Sequence, residues 1–197
     1  MYQSIILASG SPRRRELMSR LNINFQYVTS DVKEEFNDSD PFGDQAMKVA
    51  AMKAYNVSNL YDDAFIIAAD TIVIHEGIMY GKPKSGDDVR NTLRKLSGNE
   101  HEVITGVALI NKREGFCERF YESTKVFFRD FTDDFIDWYI ETEEPFDKAG
   151  SYAIQGKGCL MVKRIEGDYD NVVGLPVSEL FQRMLKLGVR PGGLHEF

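Results

Sequence analysis

The chain is poor in the residues that would commit it to several common chemistries. Its two cysteines, Cys117 and Cys159, stand far apart, and neither has a His or Cys at metal-ligand spacing. Free reduced thiols are therefore expected in place of a disulfide framework or a zinc site. The three histidines, His75, His101 and His195, show no triad or ligand context, and no Gly-x-Ser-x-Gly elbow is present. The absence of Gly-x-x-x-x-Gly-Lys-Ser/Thr argues against a P-loop nucleotidase. Basic residues are in deficit: the formal net charge of -7 argues against a broad nucleic-acid-binding surface, although a local basic pocket for a small anion stays open. No apolar run approaches membrane-spanning length, and the short run Ile5 to Ala8 lacks the basic lead of a signal peptide. A cytoplasmic protein without membrane or nucleic-acid partners is the expectation. With no repeat, low-complexity tract or composition break, residues 1–197 read as one domain, large enough to bury a real core.

Against that plain background, the stretch Phe65-Ile-Ile-Ala-Ala-Asp70-Thr-Ile-Val-Ile74 stands out. Its β-branched residues predict a buried strand. A period of two puts Asp70 on the same face as Ile66, Ala68, Ile72 and Ile74. A carboxylate on an apolar face costs roughly several kcal/mol unless a cation, a metal or hydrogen-bond donors meet it. Taken alone, such an acid is better accounted for by a structural ion pair or a strand-end turn than by a functional site.

Candidate partners are spread along the chain. Ser4 to Ala8 reads as a short strand running into Ser9-Gly10-Ser11-Pro12-Arg13-Arg14-Arg15, where Ser11 is a good N-cap, Pro12 suits the first helical position, and Leu17, Met18 and Leu21 form an apolar stripe. A strand, a Gly/Ser turn and a helix N-terminus make a common anion-binding geometry. Arginines there oppose the helix dipole, and a bound phosphate would resolve the conflict. A second strand is expected at Phe25 to Thr29, followed by the charged run Asp31 to Glu35. A helix from about Asp44 to Ser58 carries small residues at Ala50, Ala51 and Ala54, beside which Lys53 sits in a position to aim an ammonium inward. Lys82 lies between Gly81 and Pro83, and Ser85 with Asp88 predicts the start of another helix. Strands at Val103 to Ile110 and about Phe116 to Arg129 precede a helix from Thr132 to Glu141, on which Trp138 reads as packing. The stretch Pro145 to Gly158, rich in glycines, amides and charges, suits a ligand-lining loop. A strand from Leu160 to Ile165, a turn at Gly167 to Asn171 and a helix opening at Pro176 complete the pattern, with 188–197 a loose tail. Two carboxylate positions, a basic helix start and two lysines in unusual settings suit metal-assisted chemistry on a phosphorylated small molecule.

Several of these segments together resemble the Maf family of nucleoside triphosphate pyrophosphatases: Leu7-Ala-Ser-Gly-Ser-Pro-Arg-Arg14, the Lys53-Ala54 helix, Ala68-Ala-Asp-Thr71, Gly81-Lys-Pro83, Leu96-Ser-Gly98, Thr105-Gly-Val107, Asp147-Lys-Ala-Gly150, Ile154-Gln-Gly156, Gly167-Asp-Tyr169 and Gly174-Leu-Pro176. The resemblance implies an elongated α/β fold, a twisted mixed sheet flanked by helices with a cleft between two lobes, related to the inosine triphosphatase-like fold. It implies hydrolysis of dTTP or UTP, and of modified pyrimidine triphosphates, to the monophosphate and pyrophosphate with a divalent cation, Mg²⁺ or Mn²⁺. On the matching positions, Asp70 becomes the general base or water-orienting acid. Lys53 and Lys82 join Ser9, Ser11 and Arg14 around the phosphates. Arg13, Thr71 and Gln155 match the trio tied to dTTP/UTP selectivity. Glu34, flanked by Lys33 and Glu35, most nearly matches the acid that shares the metal with Asp70. A homodimer follows by analogy. The rival reading is a nucleotide-binding regulator of cell division that senses without hydrolysing. If Asp70 and Thr71 both serve one cleft, the strand is expected to bend or end there, since neighbours on a regular strand point to opposite faces.

Overall fold

The computed structural model describes residues 4–33, 36–37 and 39–190. β1 (Ser4–Leu7) leads through a tight turn into α1 (Pro12–Ser19), and β2 (Gln26–Tyr27), α2 (Phe42–Ser58) and β3 (Ala64–His75) follow. Next come β4 (Ile78–Tyr80), α3 (Gly86–Leu96) and two long strands, β5 (Glu100–Asn111) and β6 (Phe116–Phe128). After α4 (Asp133–Glu141), three 3-10 turns at Glu144–Asp147, Ala149–Ser151 and Lys157–Met161 lead to β7 (Val162–Glu166), α5 (Tyr169–Val173) and α6 (Val177–Lys186). The result is an α/β fold on one mixed sheet with strand order β2-β1-β3-β5-β6-β7 and β4 beside β3. β1 pairs in parallel with both β2 and β3, whereas β3–β4 and β6–β7 are antiparallel.

Most helix starts follow the chemistry read from the sequence. Ser11, Ser85 and Thr132 each accept a backbone N–H from the residue three positions on, at Arg14, Asp88 and Phe135. The strand expected at Phe25 to Thr29 shrinks to Gln26–Tyr27, because it sits at the sheet edge with both side chains exposed and only β1 to pair with. The turn expected from Gly167 to Asn171 gives way at Tyr169 to α5, whose start is fixed by Asp168 accepting the Asp170 N–H at 2.7 Å. At the end of α6, Val189 is buried and its N–H bonds the Met184 carbonyl at 2.9 Å, so the chain stays packed one residue beyond the Gly188 turn. Residues 191–197, most of the tail, lie outside the described residues, as does His195. Among the described residues no helix is long and apolar enough to cross a membrane.

The chain divides into two compact units, one of residues 1–70, 105–122 and 174–197, the other of 71–104 and 123–173. In the first, α2 lies on a sheet face formed by Ile6, Ala8, Ala64, Ile66, Ala68, Ala108 and Ile110, against which it sets Ala50, Ala51, Ala54 and Val57. Small residues on both sides let backbones approach closely. The closest point is Gly106 of β5, where a Cβ would lie 2.5 Å from the Ala46 carbonyl oxygen and nearer still to the Ala46 carbonyl carbon. In the second unit, α3 packs on α4. Arg94 grips Asp133 through Nε and Nη2 at 2.7 and 2.8 Å, and Arg90 pairs with Asp137. Both histidines of this unit are structural. His75 donates from Nδ1 to the Glu100 carbonyl at 2.8 Å, while His101 shares a 2.8 Å bond between Nε2 and the Tyr152 hydroxyl inside a cage with Phe128. Burial, with a smaller contribution from His75, pushes the His101 pKa down to about 3, so the ring is neutral.

Replacing Gly106 with Ala is expected to push α2 off the sheet and cost about 1–3 kcal/mol, as overpacked cores do. A urea midpoint that falls at unchanged slope is the measurement that checks it, and an unshifted midpoint would show that α2 yields freely.

Candidate active site

The first unit assembles two of the elements singled out in the sequence. On β3, Ile66, Ala68 and Asp70 share the face covered by α2, as a period of two requires. Along α2, Lys53 stands one turn from Ala50 and beside Ala54, on the small-residue seam that packs against that face. Its ammonium reaches Asp70 Oδ1 at 2.6 Å, with side-chain exposures of 13% for Lys53 and 6% for Asp70. The cation demanded by a buried strand acid is thus Lys53. An ion pair this dry is held more by what surrounds it than by its own attraction, since desolvating both charges offsets most of the Coulomb gain.

The turn between β1 and α1 is the second element. Ser9 is buried and accepts the Ser11 N–H on Oγ at 3.2 Å, while the Ala8 N–H bonds the Ile67 carbonyl of β3 at 2.7 Å. Ser11 then caps α1 in the manner expected, and no acid sits in the first helical turn to complement its dipole. The arginines take different roles. Arg14 donates from Nε to the Gly174 carbonyl at 2.8 Å, and Arg15 sits over Tyr27 with 4.3 Å between the guanidinium carbon and the ring centroid. Arg13 is half-buried on the same turn of helix. Arg14 therefore has its Nε fixed by backbone, which orients its remaining guanidinium N–H groups.

Thr71, Lys82 and Gln155 belong to the second unit. Lys82 is exposed on the segment after β4, which is fixed on both sides: Gly150 N–H bonds the Gly81 carbonyl at 3.2 Å, and Lys84 N–H bonds Asp88 Oδ2 at 2.8 Å. Gln155 is exposed at the head of a turn closed by the Gly156 N–H on the Ala153 carbonyl at 3.3 Å. That turn is held by Glu144, an acid that sequence reasoning passed over by starting the loop at Pro145. Its carboxylate accepts the Lys157 and Gly158 N–H groups at 2.8 and 3.1 Å. The alternating Gly156 and Gly158 were the available signal, since such spacing marks a backbone pressed closely by something.

Two expectations need correction or restriction. β3 does not end at Asp70: it is a 12-residue strand that continues to His75, so Thr71 points to the face opposite Asp70. The strand continues because Ile72, Val73 and Ile74 remain buried and β4 pairs with Val73, Ile74 and His75. The division between the two compact units falls between Asp70 and Thr71 without interrupting the strand. Glu34 and Glu35 lie outside the described residues, and among the described residues no group of three or more His, Cys, Asp or Glu gathers around a common point. Asp70 offers hard oxygen donors, of which Lys53 engages Oδ1. That donor set fits a cation of the Mg²⁺ class, which takes one or two carboxylates and completes its shell with water and phosphate oxygens, and it does not fit a soft-ligand site.

The fold is similar to that of the Staphylococcus aureus Ham1 protein, with a TM-score of 0.51 across 94% of this chain and 100% of that one, at 12% identity. In sequence, the chain is 47% identical over 174 residues to a protein of Halalkalibacterium halodurans named dTTP/UTP pyrophosphatase, covering 88% of this chain and 90% of that protein. It is 46% identical over 179 residues to a protein of the same name from Alkaliphilus metalliredigens, covering 90% and 93%. The family described as Maf-like protein matches residues 4–187, a span that holds the Ser9–Arg14 turn, the Lys53–Asp70 pair and the Gln155 turn alike, and the chain belongs to that family.

Proposed function

We propose that this protein hydrolyses a pyrimidine nucleoside triphosphate, dTTP or UTP, at the α-phosphorus to give the monophosphate and pyrophosphate. The observation that carries the proposal is the Lys53–Asp70 pair: a carboxylate built into the buried face of a strand and matched by one lysine. Two relatives that each span most of this chain carry the name dTTP/UTP pyrophosphatase, which supplies the substrate class.

In this reading, Asp70 accepts a hydrogen bond from the attacking water and takes its proton as the oxygen bonds to the α-phosphorus. The bond from that phosphorus to the bridging oxygen breaks, and pyrophosphate leaves with the electron pair. Lys53 holds Asp70 in place, and its ammonium also balances charge that develops on the phosphate oxygens. The Ser9–Ser11 turn at the start of α1 receives phosphate oxygens, with Arg13 and Arg14 adding charged donors. Lys82 serves the leaving pyrophosphate. Gln155 reads the base through hydrogen bonds, where a missing partner is costly and so discriminates well, while Thr71, on the face of β3 opposite Asp70, is left out of this reading. A divalent cation, Mg²⁺ or Mn²⁺, held by Asp70 together with Glu34, would supply charge neutralisation and polarise the phosphoryl group.

A panel of nucleoside triphosphates with Mg²⁺ or Mn²⁺, read separately for pyrophosphate and orthophosphate, tests the reaction. Pyrophosphate equal to monophosphate, with dTTP and UTP preferred, is expected; orthophosphate as the first product would overturn attack at the α-phosphorus. Asp70→Asn is expected to lose about two or more orders of magnitude in kcat, as well-placed acid-base groups do, while still binding nucleotide in a titration. A folded variant with an undiminished rate would remove Asp70 from the chemistry. Chelation with EDTA is expected to abolish turnover and added Mg²⁺ or Mn²⁺ to restore it, and activity that survives exhaustive chelation would remove the cation from the scheme.

A further inference from the structure

Glu144 is placed as no surface acid needs to be. α4 ends with Thr142 donating from Oγ1 to the Tyr139 carbonyl at 2.7 Å and accepting the Glu144 N–H at 3.3 Å. Between them Glu143 takes a left-handed conformation at φ 59°, uncommon for a residue with a side chain. This sharp turn sends the Glu144 carboxylate back against its own helix, where the Tyr139 hydroxyl donates to Oε1 at 2.8 Å. The same oxygen accepts the Gly158 N–H, and Oε2 accepts the Lys157 N–H. Tyr139 is fully buried, and its hydroxyl in turn accepts the Ala153 N–H at 3.3 Å. Gln155 therefore sits on a loop whose two ends, Ala153 on one side and Lys157 with Gly158 on the other, are tied to one Tyr–Glu couple.

The fit is close as well as bonded. A Cβ on Gly156 would overlap the Glu144 carboxylate, and one on Gly158 would lie 2.6 Å from the Ala153 carbonyl oxygen and 2.9 Å from the Tyr139 hydroxyl. Lys148 closes the far side, its ammonium donating to the Glu144 carbonyl at 3.3 Å. Burial pushes the Glu144 carboxyl upward, but the N–H groups of Gly158 and Lys157, the Tyr139 hydroxyl and the Lys148 charge outweigh it and hold the group below its ordinary range. Burial, aided by Glu144, raises the Tyr139 hydroxyl, which stays a donor. None of these residues has a place in the phosphate chemistry.

We propose that Glu144, through Tyr139, is a positioning residue that fixes the Gln155 turn and so sets how sharply the enzyme distinguishes one base from another. The proposal rests on the reading that Gln155 meets the base. Glu144 touches no substrate. It acts by keeping the Gln155 amide pre-oriented, so that the correct base does not have to order the loop as it binds.

The test is a comparison of kcat and KM for UTP, CTP and GTP in the wild type and in Glu144→Gln, Tyr139→Phe, Gln155→Ala and the Glu144→Gln/Gln155→Ala double variant. Glu144→Gln keeps the shape but turns one acceptor oxygen into a donor that opposes a backbone N–H. Its preference for UTP over the other bases is expected to fall by about tenfold, mainly through KM for UTP, with kcat within about threefold of wild type. Tyr139→Phe is expected to move in the same direction and serves if Glu144→Gln fails to fold. In the Gln155→Ala background, Glu144→Gln is expected to change base preference no further. A Glu144→Gln or Tyr139→Phe enzyme that keeps its preference while Gln155→Ala loses it would overturn the role of Glu144. A fall in kcat shared equally by all bases would do the same, since a general structural defect acts in that way. If Gln155→Ala itself leaves preference untouched, the reading of Gln155 fails instead, and the inference built on it falls with it.

Discussion

The approach of α2 to the sheet is the constraint on which the site depends. At Gly106 nothing but hydrogen separates the strand from the helix backbone at Ala46, and Ala50 and Ala54 extend the same close contact along the helix. Close approach is what lets a lysine of ordinary length deliver its ammonium to an acid on the strand without bending the helix or leaving a gap for water. Were the two surfaces separated by Leu or Ile side chains, Asp70 would face hydrocarbon with its cation out of reach. A pair so enclosed contributes little net stability, because desolvation offsets the attraction. Its value lies in holding a charge at one place in a setting where charge interacts strongly.

The same unit carries the arginine-rich turn, with no balancing acid in the first turn of α1. The protein as a whole is acidic, so the basic turn is a local feature against a repelling background. That contrast favours a small polyanion able to enter a pocket over an extended one that would have to lie across the acidic surface. The second unit uses a different device. There polar loops are held by backbone N–H groups gathered on side chains, as at Glu144 and at Thr124, whose hydroxyl exchanges two 3.0 Å bonds with Asp168.

Local chemistry made much of this legible. The Ser11 cap, Pro12, the alanine seam of α2 and the alternation of β3 are all set by neighbours within a few residues, and each is found where the pattern put it. Asp70 could be singled out because an acid in an apolar strand is a local contradiction. The continuation of β3 to Ile74 was legible in its β-branched run; the bend or end expected at Asp70 came only from asking Asp70 and Thr71 to serve one cleft, and the strand runs on without it. Gly106 and Glu144 were missed for another reason. What each one touches, α2 in one case and a loop beyond Gly150 in the other, is distant in sequence, so the demand placed on the residue is invisible from its neighbours.

The hydrogen bond from Arg14 to the Gly174 carbonyl joins residues 160 positions apart. The unit that contains the basic turn also contains the last helix, and between them the chain leaves for the other unit and returns twice. During synthesis, therefore, this bond to Arg14 cannot form until Gly174, 160 residues later, has been made. Contacts of such long range slow folding, because the loop must be closed before they reward it. Until then the growing chain carries β1 and the arginine-rich turn without the carbonyl that orients Arg14. The orientation of Arg14 thus waits on a segment made long after the turn that carries it.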